Sequence, residues 1–124
     1  MQIITTAVIK GGTGKTTTAA ALAQAAAAAG KRVLAIDLDP QANLTFTLSA
    51  DQNQEGAYQL LHDADPQQLI QHTPQGIDVI AASPDLATER TKPASAKRLQ
   101  TAIEPLRRKY DYIFIDCPPS LGLI

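Results

Sequence analysis

A glycine-rich turn carrying two lysines is the clearest chemical feature of the sequence. It reads Lys10-Gly11-Gly12-Thr13-Gly14-Lys15-Thr16-Thr17 and follows the β-branched stretch Ile3–Ile9. Glycines allow successive backbone N–H groups to point into one concavity, and the N-terminus of a following helix adds partial positive charge. The turn therefore predicts a cradle for a polyphosphate.

The residues of this turn have separate predicted roles. We expect Lys15 to reach the β- and γ-phosphates, the Thr16 hydroxyl to ligate Mg²⁺, and Thr17 to hydrogen-bond the α-phosphate. The alternative is a strand-to-helix turn that only packs. A preceding strand, a following helix and acids elsewhere favour the phosphate site, whose predicted residues are Gly11, Gly12, Thr13, Gly14, Lys15, Thr16 and Thr17.

Three aspartates are placed where strands are predicted to end. Asp37 and Asp39 follow the apolar stretch Arg32–Ile36, and Asp116 follows Tyr112–Ile115. We expect Asp39 to orient an attacking water, Asp37 to lie in the outer shell of the metal, and Asp116 to hold Mg²⁺, usually through water, as a Walker B acid. The alternative for each is a structural cap of a helix or a strand end.

These residues require a scaffold of alternating strands and helices. Short apolar runs predict strands buried on both faces, and such strands joined by helices form a parallel sheet. Gly30 is expected to end the first helix in a left-handed conformation. The predicted strands are Ile3–Ile9, Arg32–Ile36, Ile77–Ala81 and Tyr112–Ile115. The predicted helices include Lys15–Ala29, Ala57–His62 and Pro66–Gln71. A further amphipathic helix is predicted from the spacing of Leu99, Ile103, Leu106 and Tyr110, with a kink at Pro105.

Composition narrows the class of protein. The 124 residues are 44% hydrophobic and suffice for a single domain, 1–124. A net charge of −1 argues against a chain devoted to neutralising nucleic-acid phosphates, and one cysteine cannot form an intrachain disulfide. No run of about 18 apolar residues and no leader pattern is present, so we expect a cytoplasmic protein without membrane binding.

The phosphate turn departs from the standard motif at Ile9, where that motif has glycine, and carries Lys10 five residues before Lys15. This pattern resembles the deviant Walker A motif of the ParA/MinD superfamily of ATPases. Asp37-Leu38-Asp39-Pro40-Gln41-Ala42-Asn43 and the segment 110–121 resemble the ParA and Soj partition branch. The resemblance covers residues 1–48 and 99–124 in sequence, and the middle only by pattern.

The resemblance implies a function. It implies an ATPase that binds ATP and Mg²⁺, with catalytic roles for Lys10, Lys15 and Asp39 and metal roles for Thr16, Asp37 and Asp116. Lys10 would correspond to the signature lysine that crosses to the phosphates of the partner subunit in an ATP-dependent homodimer. It further implies a ParB-type partner, non-specific DNA binding through segments outside this chain, and a cytoplasmic, nucleoid-associated place in bacteria.

The predicted fold is a three-layer α/β P-loop NTPase with a mostly parallel sheet, or the N-terminal half of one. Two other functions stay open: a nucleotide-binding or interaction module without turnover, and an amidation-type enzyme that uses ATP to activate a carboxylate. Other candidate residues have ordinary explanations, which are burial for Cys117 and a solvated surface for His62, His72, Lys97, Arg98 and 107–109.

Overall fold

The structure is a computed structural model that describes residues 2–7, 13–89 and 94–117. Within them, five strands form one sheet: β1 (Gln2–Ala7), β2 (Val33–Asp37), β3 (Ile70–His72), β4 (Asp78–Ile80) and β5 (Tyr112–Cys117). Their spatial order is β1-β5-β2-β4-β3. The first four in that order run parallel, and β3 joins the edge antiparallel to β4.

The helices cover both faces of the sheet, which gives the three layers that the sequence predicts. They are α1 (Thr13–Ala28), α2 (Asn43–Thr47), α3 (Ala57–Leu60) and α4 (Ala94–Ile103), with 3₁₀ turns at Pro66–Gln68, Pro84–Glu89 and Glu104–Leu106. One apolar core joins α1 and α2 to one face of the sheet, and a second joins α3 and α4 to the other.

Helix α1 confirms the prediction made for the alanine-rich segment. From residue 18 onward, where the structure describes its side chains, the buried ones are Ala19, Ala20 and Ala23, which are small enough to bring the helix close to the sheet. The helix ends as expected at Gly30, whose φ of 82° is left-handed. The Gly30 amide donates to the Ala27 carbonyl at 3.0 Å, and the Lys31 amide to the Ala26 carbonyl at 3.1 Å, which together form a Schellman motif.

Two predicted helices are wrong in part. The predicted helix Pro66–Gln71 is a 3₁₀ turn followed by strand β3, because Asp65 accepts a hydrogen bond from the Gln67 amide and β3 then pairs with β4. The helix that should kink at Pro105 instead ends at Ile103. Proline has no N–H to continue the α-helical ladder, so a 3₁₀ turn follows and Tyr110 lies beyond it, buried beside the start of β5.

The first and last residues of the strands differ by one or two positions from those predicted from the sequence. The parts of predicted strand Ile3–Ile9 beyond Ala7 lie outside the described residues. Strand β4 is one residue shorter at each end than Ile77–Ala81, and β5 is two residues longer than Tyr112–Ile115. The extension puts Asp116 inside β5 rather than after it, because β1 and β2 both continue to pair alongside.

Candidate functional site

The phosphate turn joins the carboxyl end of β1 to helix α1. Lys10, Gly11 and Gly12 lie outside the described residues. The other predicted phosphate-binding residues, Thr13, Gly14, Lys15, Thr16 and Thr17, form the first residues of α1, which begins two residues earlier than the predicted start at Lys15. The first N–H groups of a helix have no partner within it, so this end is suited to an anion.

Two of the three candidate aspartates lie on neighbouring strands at this edge of the sheet. Asp37 ends β2, and its register partner on β5 is Asp116. The backbone continues the pairing, since the Leu38 amide donates to the Asp116 carbonyl at 2.8 Å. Thr6 of β1 is the register partner of Asp116 on its other side, so the strand that leads into the phosphate turn lies next to this pair.

Both aspartates are on the sheet face that α1 and α2 cover. Side chains alternate along a strand, and the neighbours of Asp37 at alternate positions, Val33 and Ala35, belong to the core packed on α1. Phe114, two residues before Asp116, belongs to the same core. The side chains of Asp37 and Asp116 are buried. The sheet therefore carries two buried carboxyl groups side by side beneath the helix that begins at the phosphate turn.

Burial changes the acidity of Asp37. The pKa of Asp37 is raised to about 7, mainly because burial removes the carboxyl group from water, and the nearby charge of Asp116 makes a smaller contribution to this rise. Hydrogen bonds from Thr45 and from the Asp39 amide oppose this rise in the pKa by favouring the charged form. Asp37 is therefore a carboxyl group that can exchange a proton near neutral pH.

Asp37 also has the structural role that the sequence left as an alternative. One of its oxygens, Oδ2, accepts a hydrogen bond from the Thr45 amide in α2 at 2.9 Å, as a capping group does. The same oxygen accepts from the Thr45 hydroxyl at 2.8 Å, and Oδ1 accepts from the Asp39 amide at 3.1 Å. The carboxylate thus fastens the turn after β2 to helix α2.

Asp39 lies in that turn and is half-buried. Its Oδ1 accepts from the Gln41 amide at 3.0 Å, and its carbonyl accepts from the Ala42 amide at 2.9 Å. The chain then passes through Ala42 in a left-handed conformation, with φ 59°, and enters α2. The turn holds Asp39 at the carboxyl edge of β2, on the same edge of the sheet as Asp116.

Thr45 is a site residue that the sequence did not reveal. It is buried, and its Oγ1 both donates to Asp37 and accepts from the Ala82 amide at 2.9 Å. The signal available in the sequence is a threonine between Leu44 and Leu48, two apolar residues at helical spacing, within a segment that otherwise reads as polar. That spacing predicts a short buried helix but not the partners of its hydroxyl.

The remaining candidates lie away from this edge. His62 and His72 are exposed, as predicted; His62 contacts the Tyr58 ring, and His72 Nδ1 lies 2.6 Å from Asp78 Oδ1. The predicted basic residues Lys97, Arg98, Arg107, Arg108 and Lys109 are exposed.

In the described part of the chain, no cluster of three or more His, Cys, Asp or Glu could hold a metal by itself. Among these same residues, no helix is both long and apolar enough to cross a bilayer.

Comparison with known proteins agrees with this architecture. A family model described as an AAA domain (AAA_31) matches residues 1–124. The sporulation initiation inhibitor protein Soj of Bacillus subtilis is 42% identical over 123 residues, which cover 93% of this chain and 49% of Soj. The chromosome partitioning protein ParA of Myxococcus xanthus is 43% identical over 123 residues, covering 93% and 44% of the two chains. The chain thus spans about half the length of these curated relatives.

Solved structures are also similar to this chain over nearly its whole length. Cobyrinic acid a,c-diamide synthase from Mycobacterium smegmatis, with bound ADP and magnesium, is similar with a TM-score of 0.86 and 34% identity, over 98% of this chain and 54% of that one. An ATP complex of McdA from Cyanothece has a TM-score of 0.84 and 30% identity, over 95% and 48% of the two chains.

Proposed function

Because the chain belongs to the ParA/Soj-type family of AAA-domain ATPases, we propose that it binds ATP and Mg²⁺ at the carboxyl edge of its sheet and hydrolyses ATP in plasmid or chromosome partitioning. One observation carries the proposal: the last residues of the phosphate turn form the start of α1, while Asp37 and Asp116 lie as register partners at the same edge. The proposal is supported by similar proteins solved with ADP and magnesium or with ATP.

The residues at this edge fit magnesium triphosphate chemically. The first turn of a 16-residue helix offers N–H groups to an anion, and carboxylates are hard oxygen groups that suit Mg²⁺ and its bound waters. Bound ATP would supply the phosphoanhydride bond, and Mg²⁺ would neutralise part of its charge. In this proposal Gly11, Gly12, Thr13, Gly14, Lys15 and Thr17 bind the phosphates, and Thr16 ligates the metal.

The acids have distinct proposed roles. Asp116 holds the hydrated metal, and Asp39 orients the attacking water at the turn after β2. Asp37 lies in the outer shell of the metal and anchors that turn to α2. Because Asp37 already accepts three hydrogen bonds from protein groups, its part is to position neighbours rather than to coordinate directly.

The relatives support a proposal for assembly. Lys10 crosses to the phosphates of a second subunit, so ATP binding drives a homodimer and a second cation stabilises charge that develops during hydrolysis. The dimer binds a ParB-type partner, and segments outside this chain hold non-specific DNA, which places the protein in the cytoplasm at the nucleoid. No described residue is proposed to contact a membrane.

Calorimetry on the purified chain with Mg-ATP, and release of phosphate with and without DNA and a partner, test this function. We expect magnesium-dependent binding that Lys15→Ala abolishes, with Lys109→Ala, at the opposite end of the sheet, as the matched control. Binding without any turnover under all of these conditions would favour an interaction module. Failure to bind ATP would contradict the proposal.

A second candidate is supported by one specific observation, the TM-score of 0.86 with cobyrinic acid a,c-diamide synthase. An enzyme of that type would use ATP to activate a carboxylate for amidation. The greater identity to Soj and ParA favours partitioning. Phosphate release that depends on a small carboxylic acid, and not on DNA or a protein partner, would favour amidation instead.

A further inference from the structure

Thr45 connects two parts of the fold that are distant in sequence. Its Oγ1 accepts a hydrogen bond from the amide of Ala82, in the loop after β4, at 2.9 Å. The same hydroxyl donates to Asp37 Oδ2, at the end of β2, at 2.8 Å. Residues 45 and 82 are both buried, so water cannot replace either bond at low cost.

The Ala82 amide fixes the direction of the threonine hydroxyl. The Ala82 amide donates to one lone pair of the hydroxyl oxygen. The hydroxyl has a single O–H to donate, and it donates this O–H to Asp37. When Asp37 is ionised, the charged acceptor makes this hydrogen bond stronger than a neutral pair. Thr45 therefore holds the Asp37 carboxylate in one orientation.

That orientation determines where the next turn begins. With Oδ2 held by the Thr45 hydroxyl and amide, the other oxygen of Asp37 points to the Asp39 amide and accepts from it at 3.1 Å. The turn then closes on itself through Asp39 Oδ1 and the Gln41 amide. The position of Asp39 thus depends on a hydroxyl six residues further along the chain.

We propose that Thr45 is a positioning residue for hydrolysis, which acts through Asp37 to hold Asp39 where it can orient water. This inference rests on the proposed ATPase function. The hydrogen bonds that carry this role join Thr45 to Asp37 and Ala82, at the turn after β2, so Thr45 is expected to influence turnover rather than nucleotide affinity.

Three variants test the role. Thr45→Val keeps the shape but removes the hydroxyl, Thr45→Ser restores it, and Thr47→Val removes the hydroxyl of an exposed threonine on the same helix as a control. We expect Thr45→Val to lower kcat at least tenfold while the Kd for Mg-ATP changes less than threefold. Thr45→Ser should recover most of the lost turnover, and Thr47→Val should match the parent chain.

Hydrogen exchange gives a readout that does not depend on catalysis. The Asp39 amide is expected to exchange at least tenfold faster in Thr45→Val, to return close to the parent rate in Thr45→Ser, and to be unchanged in Thr47→Val. The amides of Leu34 and Ile36 within β2 should keep their rates, which shows that the sheet is intact. If the valine variant does not fold, Thr45→Cys, a weak donor of similar size, replaces it.

The outcomes separate the two proposals. An unchanged Asp39 exchange rate in Thr45→Val, or equal losses in the valine and serine variants, overturns the positioning role whatever the turnover. A parent chain that exchanges as expected but never hydrolyses ATP contradicts the proposed function and leaves Thr45 as the residue that holds the Asp39 turn.

Discussion

Asp37 and Asp116 are register partners on the parallel strands β2 and β5, with both side chains buried on the face that helix α1 covers. Two buried carboxyl groups side by side disfavour a double negative charge. Burial, and to a smaller extent the charge of Asp116, raises the pKa of Asp37 to about 7. Because a bound cation would offset the repulsion between the two carboxyl groups, this arrangement is suited to a cation-binding site.

The raised pKa of Asp37 predicts how stability depends on pH. Between pH 4 and 7 the folded chain keeps a proton on Asp37 that the unfolded chain releases near its ordinary pKa of 3.8, so the free energy of unfolding falls as pH rises. Above pH 7 both states are charged and this contribution becomes constant. In urea unfolding without metal, Asp37→Asn should gain stability relative to the parent chain by up to about 1.4 kcal/mol per pH unit from pH 5 to 7.

Asp111→Asn is the control for this experiment. Hydrogen bonds from Arg32 lower the pKa of Asp111 below its ordinary value of 3.8, so its contribution to the free energy of unfolding changes at lower pH than the window measured. Parallel pH profiles for the parent chain and Asp37→Asn would show that Asp37 is already ionised at pH 5 and would contradict the prediction.

The backbone at Gly56 lies close to Ala81, the residue before Ala82. A Cβ on Gly56 would lie 2.1 Å from the Ala81 carbonyl oxygen, which also accepts from the Ala57 amide at 2.7 Å. Because a backbone atom cannot move aside like a flexible side chain, Gly56→Ala should reduce the free energy of unfolding by roughly 2–4 kcal/mol.

Gly76→Ala provides the comparison for Gly56→Ala. Gly76 has φ of 77°, and the described residues leave open the space that a Cβ would occupy there, so only the left-handed backbone conformation is penalised, at about 1 kcal/mol. Chemical unfolding of the two variants measures the difference. Equal losses would show that the contact between residues 56 and 81 is not the cause.

Local signals in the sequence predicted the parts of the fold that local physics determines. Alanine propensity and Gly30 predict α1 and its end, and the carboxyl ends of parallel strands bring Asp37 and Asp116 to one edge. Strand β3 could not be predicted in this way, because three residues become a strand only when β4 lies beside them. Likewise, the importance of Thr45 depends on Ala82, which is 37 positions away.

Asp39→Ala is expected to separate binding from turnover. The carboxylate lies in the turn after β2 and not in the helix that begins at the phosphate turn, so affinity for Mg-ATP should change less than about threefold. If Asp39 orients the attacking water, kcat should fall by about 10². Phosphate release and calorimetry measure the two quantities, and a variant with unchanged turnover would contradict this role.

Asp51→Ala is the matched control for Asp39→Ala. Like Asp39, Asp51 makes an Asx-type hydrogen bond to the amide two residues on, here that of Asn53 at 2.8 Å, but it follows α2 and does not lie on the turn after β2. A similar loss in both variants would mean that breaking a local turn, rather than removing the proposed water-positioning group, reduces turnover.

Lys10→Ala tests whether hydrolysis is coupled to assembly. If Lys10 reaches the phosphates of a second subunit while Lys15 serves its own, the Lys10 variant should bind Mg-ATP as a monomer and lose ATP-dependent dimerisation, whereas Lys15→Ala should lose binding itself. Sedimentation at several protein concentrations, with and without nucleotide, measures the association. Turnover in the parent chain should then rise with protein concentration, because each site would be complete only when a second lysine arrives from the partner subunit. Concentration-independent turnover, or a Lys10→Ala chain that still dimerises on ATP, would show that each subunit hydrolyses ATP with its own residues alone.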